Sequence, residues 1–133
     1  MRCLQSVQNA AARLVTGTRR CDHISPVLRQ LHWLPVQQRV MFKIATVVHR
    51  SLSSNVPGYL ADDCQLVADA RVIQLRSADT RTLVVSRTRS SFGDRTFAAA
   101  GPLVWNSLTP NLRLCRLTYG QFRRLLKTFL FGH

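Results

Sequence analysis

The first residues of the chain alternate between apolar and polar positions with the period of an α-helix. We predict a helix over residues 2–16, ended by Gly17, because glycine is favoured just beyond a helix C-terminus. The apolar stripe that we expect to pack consists of Leu4, Val7, Ala11, Leu14 and Val15. Since the chain starts inside this helix, we expect it to be a piece of a longer protein.

Two further helices, each opened by a proline, are predicted between residues 22 and 50. Ser25 suits an N-cap and Pro26 the first helical position, so one helix should run from there to about His32. Pro35 should open the next helix, because the residue before a proline is pushed out of the helical region. Trp33 then lies in the corner between the two helices.

The helix after Pro35 has one apolar side and one cationic side. Between residues 25 and 57 the sequence contains no acidic residue, so neighbouring carboxylates cannot neutralise the cationic side. The apolar side consists of Val36, Val40, Ile44, Val47 and Val48, and the opposite side of Arg39, Lys43, Thr46 and Arg50.

Residues 57–89 carry weaker patterns. The Pro57-Gly58 pair predicts a single helical turn, and Asp62, Asp63 and Asp69 indicate an acidic loop. The β-branched run over 82–85 predicts a short strand, with residues 72–75 as the candidate partner strand. The arginines of this stretch are a second candidate segment for phosphate contact, or a flexible basic loop: Arg71, Arg76, Arg81, Arg87 and Arg89.

The region around Trp105 predicts two short helical segments. The first should run over 92–100 and end at Gly101-Pro102, and the second should occupy residues 103–108. Trp105 could stack on a nucleic-acid base, but its leucine and valine neighbours favour a core position.

The last helix is marked by the capping-box pair Thr118 and Gln121. Its apolar side consists of Phe122, Leu125, Leu126 and Phe129, and its cationic side of Arg123, Arg124 and Lys127. Together the patterns predict a mainly α fold. We expect a small bundle of short amphipathic helices with a minor β-hairpin or extended segment around residues 71–86, in a single domain over 1–133.

The charge balance points to a polyanionic partner. The 133 residues contain 19 Lys and Arg against 6 Asp and Glu, a net charge of +13, and 17 of the 19 cations are arginine. The planar guanidinium binds phosphate bidentately and stacks on bases, so this bias favours nucleic acid. The alternative interpretation is a biased genomic composition without a binding role.

Cysteine spacing argues against metal and disulfide chemistry. Cys3, Cys21, Cys64 and Cys115 are far apart and form no C-x-x-C pair, and Cys21 with His23 has no matching second ligand pair. We therefore expect reduced thiols, no metal and no cofactor. The sequence has neither a secretory signal nor an apolar run that could span a bilayer, so we expect an intracellular protein, nuclear or cytoplasmic, without a membrane partner.

Several segments, in this order, resemble the extreme C-terminal part of non-LTR (long interspersed element) retrotransposon polyproteins. The run from Asp-His-Ile-x-Pro to Leu-His-Trp-Leu-Pro is the most specific of them. The chain is similar to that family along LQSVQNAAARLVTGTRR (4–20), DHISPVLRQLHWLPVQQRVMFKI (22–44), RTFAAAGPLVWNSLTPNLR (95–113) and FRRLLKTFLF (122–131).

The resemblance implies a noncatalytic, thumb-like segment that follows the reverse transcriptase fingers and palm and helps to hold template RNA and primed DNA. The chain departs from the family pattern at Ser86 and Thr109, where prolines are usual, which affects local turns. Polymerase chemistry needs carboxylates that hold two metal ions, in this family an aromatic-x-Asp-Asp turn. Asp62-Asp63 lacks that context, so we expect no enzymatic activity.

The leading hypothesis is an accessory segment that binds the RNA or DNA backbone with little base readout. One alternative is a structural piece that docks on the palm and fingers of a parent reverse transcriptase, and another is a transposon relic without selected activity. The candidate phosphate contacts are Arg13, Arg19, Arg20, Arg39, Lys43, Arg50, Arg87, Arg89, Arg123, Arg124 and Lys127.

Overall fold

The protein is mainly helical, as predicted, in a computed structural model that describes residues 1–70, 81–114 and 116–132. The candidate partner strand over 72–75, and with it Arg71 and Arg76, lies outside these residues. The α-helices of the described part are α1 (Arg2–Thr16), α2 (Ile24–Gln30), α3 (Val36–Leu52), α4 (Gly58–Asp62), α5 (Val67–Ala70), α6 (Phe97–Ser107) and α7 (Tyr119–Gly132).

The chain divides into two compact units. Unit 1 contains Met1–Phe42 and Lys127–His133, and unit 2 contains Lys43–Leu126. Each unit is described by itself below, and the single domain over 1–133 stays a prediction.

In unit 1, α1 has the predicted bounds. It ends at Thr16, and Gly17 follows with φ 68° in the left-handed region that glycine adopts without strain. The side of α1 that packs is not the predicted one. The packed side lies between the apolar stripe and the polar side, and it carries Ala12, which is fully buried, and Gln8, whose Nε2 donates to the Leu34 carbonyl at 2.8 Å. A second glutamine, Gln5, accepts the Val36 N–H through Oε1 at 2.8 Å.

The apolar stripe of α1 is therefore exposed, which corrects the expectation that it packs. Leu4, Val7, Leu14 and Val15 are 63–85% exposed. Amphipathicity distinguishes only an apolar and a polar side of a helix, whereas the glutamine hydrogen bonds place a side between these two against the rest of unit 1. A continuous exposed stripe of this kind usually marks an interaction surface.

The start of α2 also differs from the prediction. The helix begins at Ile24 with His23 as its N-cap residue, so Ser25 lies in the first turn and makes no cap hydrogen bond. Pro26 is tolerated there because first-turn N–H groups have no partner inside a helix. Val27 and Leu28 of α2 form a buried cluster with Ala12 of α1, and Ile24, Leu31 and Trp33 pack against that cluster.

Helix α3 starts in unit 1 and continues into unit 2, which begins at Lys43. The predicted helix start holds, since the Pro35 carbonyl accepts the Arg39 N–H at 2.9 Å. The buried side is rotated from the expected one: Val40 is 38% exposed, whereas Thr46, predicted on the cationic side, is 8% exposed. The Thr46 hydroxyl donates to the Lys43 carbonyl at 2.8 Å, which satisfies the buried polar group.

The predicted break at Gly101-Pro102 is wrong. The end of the first segment and most of the second form one helix, α6, that contains Pro102, whereas Gly93–Arg95 form a separate 3-10 helix before it. The proline removes one helical hydrogen bond, but burial compensates, because Pro102 and Trp105 are among the fully buried side chains. Gly101 allows close packing, since a Cβ there would lie 3.3 Å from side-chain atoms of Phe97 and Val48.

An extended segment around Leu83 is held on both sides. On one side, Val67 N–H donates to Thr82 O and Val84 N–H donates to Gln65 O, both at 2.9 Å. On the other side, the Asn106 amide of α6 accepts from Leu83 N–H and donates to Leu83 O, again at 2.9 Å. Leu83 itself is 1% exposed. The strand predicted over 82–85 is reduced here to a single antiparallel bridge with Leu66.

The helical turn predicted at Pro57-Gly58 is confirmed as α4, which includes Asp62. Asp69 lies in α5 instead of the predicted acidic loop, and Asp63 lies outside a helix. The final helix, α7, has the predicted capping box. Gln121 N–H donates to the Thr118 hydroxyl at 3.3 Å, and Thr118 N–H donates to Gln121 Oε1 at 3.1 Å.

The buried stripe of α7 within unit 2 includes Phe122 and Leu126, both 0% exposed. Leu125, predicted beside them, is 47% exposed. The buried side of α7 is therefore narrower than the run of apolar residues suggests.

Candidate nucleic-acid interface

Most of the predicted phosphate contacts reach the surface. Arg13 and Lys127 are half-buried. The exposed ones are Arg19, Arg20, Arg39, Lys43, Arg50, Arg87, Arg89, Arg123 and Arg124. Six acidic residues in the whole sequence cannot neutralise 19 cations, whatever their positions.

In unit 1, both half-buried cations have contacts within the chain. Arg13 donates from its guanidinium to the Asp22 carbonyl at 3.3 Å, which ties α1 to the loop before α2. The Lys127 ammonium lies 6.0 Å from the centre of the Phe131 ring. These contacts give Arg13 and Lys127 a structural role beside any role in binding.

Arg87 and Arg89 flank a closed loop in unit 2. The hydroxyl of Thr88 between them donates to the Asp94 carboxylate, and Gly93 N–H donates to the Ser90 hydroxyl at 3.1 Å. The loop thus has internal hydrogen bonds, while both arginine side chains stay exposed. Arg81, from the same candidate segment, is half-buried, and its carbonyl accepts the Trp105 indole N–H at 2.8 Å.

Two predicted cations from different helices meet at one aromatic ring. The Arg50 guanidinium carbon lies 6.0 Å from the centre of the Tyr119 ring, and that of Arg123 lies 5.5 Å from it. Both distances suit cation–π attraction. The attraction of each guanidinium group to the Tyr119 ring offsets part of the repulsion between the two positive charges.

His49, next to Arg50 on α3, is buried among aromatic rings. It stacks on Phe122 with ring centres 4.3 Å apart, and lies 6.4 Å from Trp105 and 6.2 Å from Tyr119. The side chain is 6% exposed, and its Nδ1 atom has no hydrogen-bond partner in the described part of the chain.

Burial lowers the pKa of His49 below its ordinary value, because the charged ring would lose its hydration. The backbone of Leu117 hydrogen-bonds the ring and raises the pKa, while the positive charge of Arg81 lowers it. The net direction is downward, so the ring favours its neutral form.

An open cavity of about 640 Å³ lies beside this histidine in unit 2. Its lining combines donors and hydroxyl groups with the start of α7, and among the lining residues of the described chain there is no carboxylate. The lining residues are His49, Arg50, Ser53, Asn55, Leu117, Thr118 and Tyr119.

The remaining chemical candidates are structural. Trp105 is 0% exposed, and its indole N–H donates to the Arg81 carbonyl. Trp105 therefore belongs to the core, as predicted, and cannot stack on a base. Cys64 is buried, and burial raises the pKa of its thiol.

Within residues 1–70, 81–114 and 116–132, no group of three His, Cys, Asp or Glu side chains could hold a metal ion. No helix in these ranges is long and apolar enough to cross a membrane.

Comparison with protein-family models, with curated proteins and with solved structures finds no match to this chain.

The sequence pattern identified Arg50 and Arg123 separately but missed His49, Tyr119 and the cavity that His49 lines with Arg50. The available signals were a histidine among valines on an amphipathic helix and the capping box at 118–121. Neither signal indicates that residues 70 positions apart in sequence come together.

Proposed function

We propose that the chain binds the sugar-phosphate backbone of RNA or DNA as a noncatalytic, thumb-like segment of a non-LTR retrotransposon reverse transcriptase. The supporting observation is the exposure of nine of the eleven candidate cations, five on helix sides and four in two loops. Arginine at such positions contacts phosphates without reading base sequence. The resemblance of the sequence segments supplies the proposed parent protein.

The cationic side of α3 offers the sharpest test. Arg39 and Lys43 are four residues apart, so they share one side of the helix, and both are exposed. If about five to seven cations meet phosphates, log affinity against log salt should have a slope of roughly −4 to −6. The Arg39→Gln/Lys43→Gln variant should reduce that slope by about 2 in magnitude, since two phosphate contacts are lost.

The measurement is fluorescence anisotropy with labelled single-stranded RNA, single-stranded DNA and an RNA–DNA hybrid, from low to physiological salt. The matched control is Arg29→Gln/Arg95→Gln, which removes the same charge from two exposed arginines outside the candidate set. An equal loss in the control would contradict the assignment to α3. Binding that does not depend on salt, or no binding at low salt, would contradict the proposed function.

A second candidate function, docking on the palm of a parent polymerase as a structural piece, is favoured by the exposed apolar stripe of α1. Leu4, Val7 and Leu14 are 63%, 67% and 85% exposed, so they contribute little to the core of unit 1. Replacing all three with serine should leave the helical circular dichroism signal in place, apart from a small loss of helix propensity.

The same triple variant should lower the tendency of the isolated chain to self-associate, because it removes the exposed apolar stripe. Sedimentation velocity over a range of concentrations measures this, with Val27→Ser, a change at a buried position, as the contrasting variant that should lose helical structure instead. Loss of helical structure in the triple variant would indicate that the stripe is needed for folding.

A further inference from the structure

Phe92 carries an apolar ring that faces water. Its side chain is 79% exposed, the largest fraction among the phenylalanine, tyrosine and tryptophan side chains of the described residues. Phenylalanine has no polar group that could hydrogen-bond with water, so covering the ring with a ligand is favourable. The ring therefore offers contact area to a flat or apolar ligand.

The loop that carries Phe92 is held in shape by its own contacts. The Thr88 hydroxyl donates to the Asp94 carboxylate, and Gly93 N–H donates to the Ser90 hydroxyl at 3.1 Å. Gly93 allows the two sides of the loop to meet, since a Cβ there would lie 3.0 Å from the Thr88 Cβ. A ligand that contacts the ring thus meets a pre-formed surface, which lowers the entropic cost of binding.

The same loop carries an excess of positive charge. Arg87, Arg89 and Arg95 are all exposed. Asp94 is the only acidic residue between positions 80 and 133, so one carboxylate stands against three guanidinium groups. A ligand of this loop is therefore expected to be an anion.

The positive groups lie close enough to the ring to act on the same ligand. The Arg95 guanidinium carbon lies 6.0 Å from the centre of the Phe92 ring, a distance that suits cation–π attraction. Arg89 precedes Phe92 by three residues, which span at most about 10–11 Å. Because Arg95 contacts the ring, Arg87 and Arg89 are the arginines of this loop that we assign to phosphates.

Tyr59 provides a contrast within unit 2. Its ring is 69% exposed and belongs to α4, which also contains Asp62. The sequence between positions 51 and 70 contains no lysine or arginine. A polyanion would be repelled there, so exposure of an aromatic ring and positive charge coincide at Phe92 and not at Tyr59.

We propose that Phe92 is a stacking platform for one base of single-stranded RNA or DNA, with Arg87 and Arg89 on the neighbouring phosphates. A single strand combines the two chemical features that the loop fits, a flat base face and an anionic backbone. Stacking on an aromatic side chain tolerates any base, which agrees with backbone binding that reads little sequence. This inference rests on the proposed function and adds to it a position and a preference for unpaired bases.

The test measures fluorescence anisotropy of the full chain with two labelled strands of equal length, a dT oligonucleotide and an abasic strand that keeps the phosphates but has no bases. Phe92→Ala should weaken binding to dT about tenfold, within the range for one stacked base. It should change binding to the abasic strand by less than about twofold, because no base is there to stack. Since no charge is lost, the slope of log affinity against log salt should not change.

The matched control is Tyr59→Ala, which removes an exposed ring from the same unit and should change binding to either strand by less than about twofold. Phe92→Leu keeps an apolar side chain without a ring, so it should lose most of the affinity that Phe92→Ala loses. Arg87→Gln/Arg89→Gln should weaken binding to both strands and reduce the salt slope by about 2 in magnitude. Circular dichroism checks that every variant keeps its helical signal.

The outcomes separate the platform from the proposed function. Equal losses of Phe92→Ala on the dT and abasic strands, or a loss matched by Tyr59→Ala, would overturn the platform and leave backbone binding in place. Unchanged dT binding by Phe92→Ala together with weaker self-association in sedimentation velocity would assign the ring to a protein contact instead. Equally strong competition by a free mononucleotide would overturn the assignment to a strand. No binding of the unsubstituted chain to either strand at low salt would contradict the proposed function itself.

Discussion

Replacing Trp105 with alanine is expected to unfold unit 2 at 25 °C. Trp105 is fully buried, its ring centre lies 5.8 Å from that of Phe122, and its indole N–H donates to the Arg81 carbonyl. Removing a buried tryptophan costs about 3–5 kcal/mol, and the unpaired carbonyl adds about 1–3 kcal/mol. The sum is comparable with the about 5–15 kcal/mol that stabilises a whole domain. Urea unfolding followed by circular dichroism measures the loss.

Two controls divide this effect into its parts. Trp105→Phe keeps an aromatic ring in the core but loses the hydrogen bond, so it should cost about 1–3 kcal/mol. Trp33→Ala removes a half-buried tryptophan from unit 1 and should destabilise the protein less than Trp105→Ala. Equal costs for Trp33→Ala and Trp105→Ala would contradict the assignment of Trp105 to the centre of unit 2.

Lowering the pH from 8 to 5 is expected to destabilise unit 2 through His49. Burial lowers the pKa of His49 in the folded protein, whereas in the unfolded chain it has its ordinary value of about 6.5. Above pH 6.5 the ring is neutral in both states and its contribution to stability is complete. As the pH falls below 6.5, the unfolded chain binds the proton first, so stability is lost until the folded pKa is reached.

For each pH unit by which the pKa of His49 in the folded protein lies below its value in the unfolded chain, the free energy of unfolding decreases by about 1.4 kcal/mol at low pH. The urea midpoint of unit 2, followed by Trp105 fluorescence in a Trp33→Phe background, should therefore decrease between pH 7.5 and pH 5. His49→Phe should make the midpoint nearly independent of pH in this range, whereas His23→Gln, at an exposed position, should not. A midpoint that rises as the pH falls would contradict the assigned direction.

The local features of the fold could be predicted where a cap or a glycine specifies them. Gly17 after α1, Pro35 before α3 and the Thr118–Gln121 capping box act through neighbouring backbone groups, so the sequence alone contains the information. The packing of those helices could not be predicted in the same way. On α1 the glutamine side chains reach distant backbone groups, and their hydrogen bonds turn the packed side away from the one that amphipathicity favours.

The break expected at Gly101-Pro102 shows that local propensity alone does not predict where a helix ends. Local propensity favours an ended helix, but the burial of Pro102 and Trp105 outweighs one missing hydrogen bond, and that burial depends on residues far away in sequence. In the candidate interface, too, local patterns are predictable and contacts between distant residues are not. The exposed cations of α3 follow from its periodicity, whereas the meeting of Arg50, Arg123 and Tyr119 depends on how α3 and α7 pack within unit 2.

The hydrogen bonds on both sides of Leu83 have a consequence for aggregation. A strand whose backbone is open on one side can recruit a strand from another molecule and start a growing sheet. At Leu83 the residues around Leu66 occupy one side, and the Asn106 side chain occupies the other as a substitute for a neighbouring strand. This apolar, β-branched part of the sequence is thereby blocked from intermolecular sheet growth for as long as α6 stays folded.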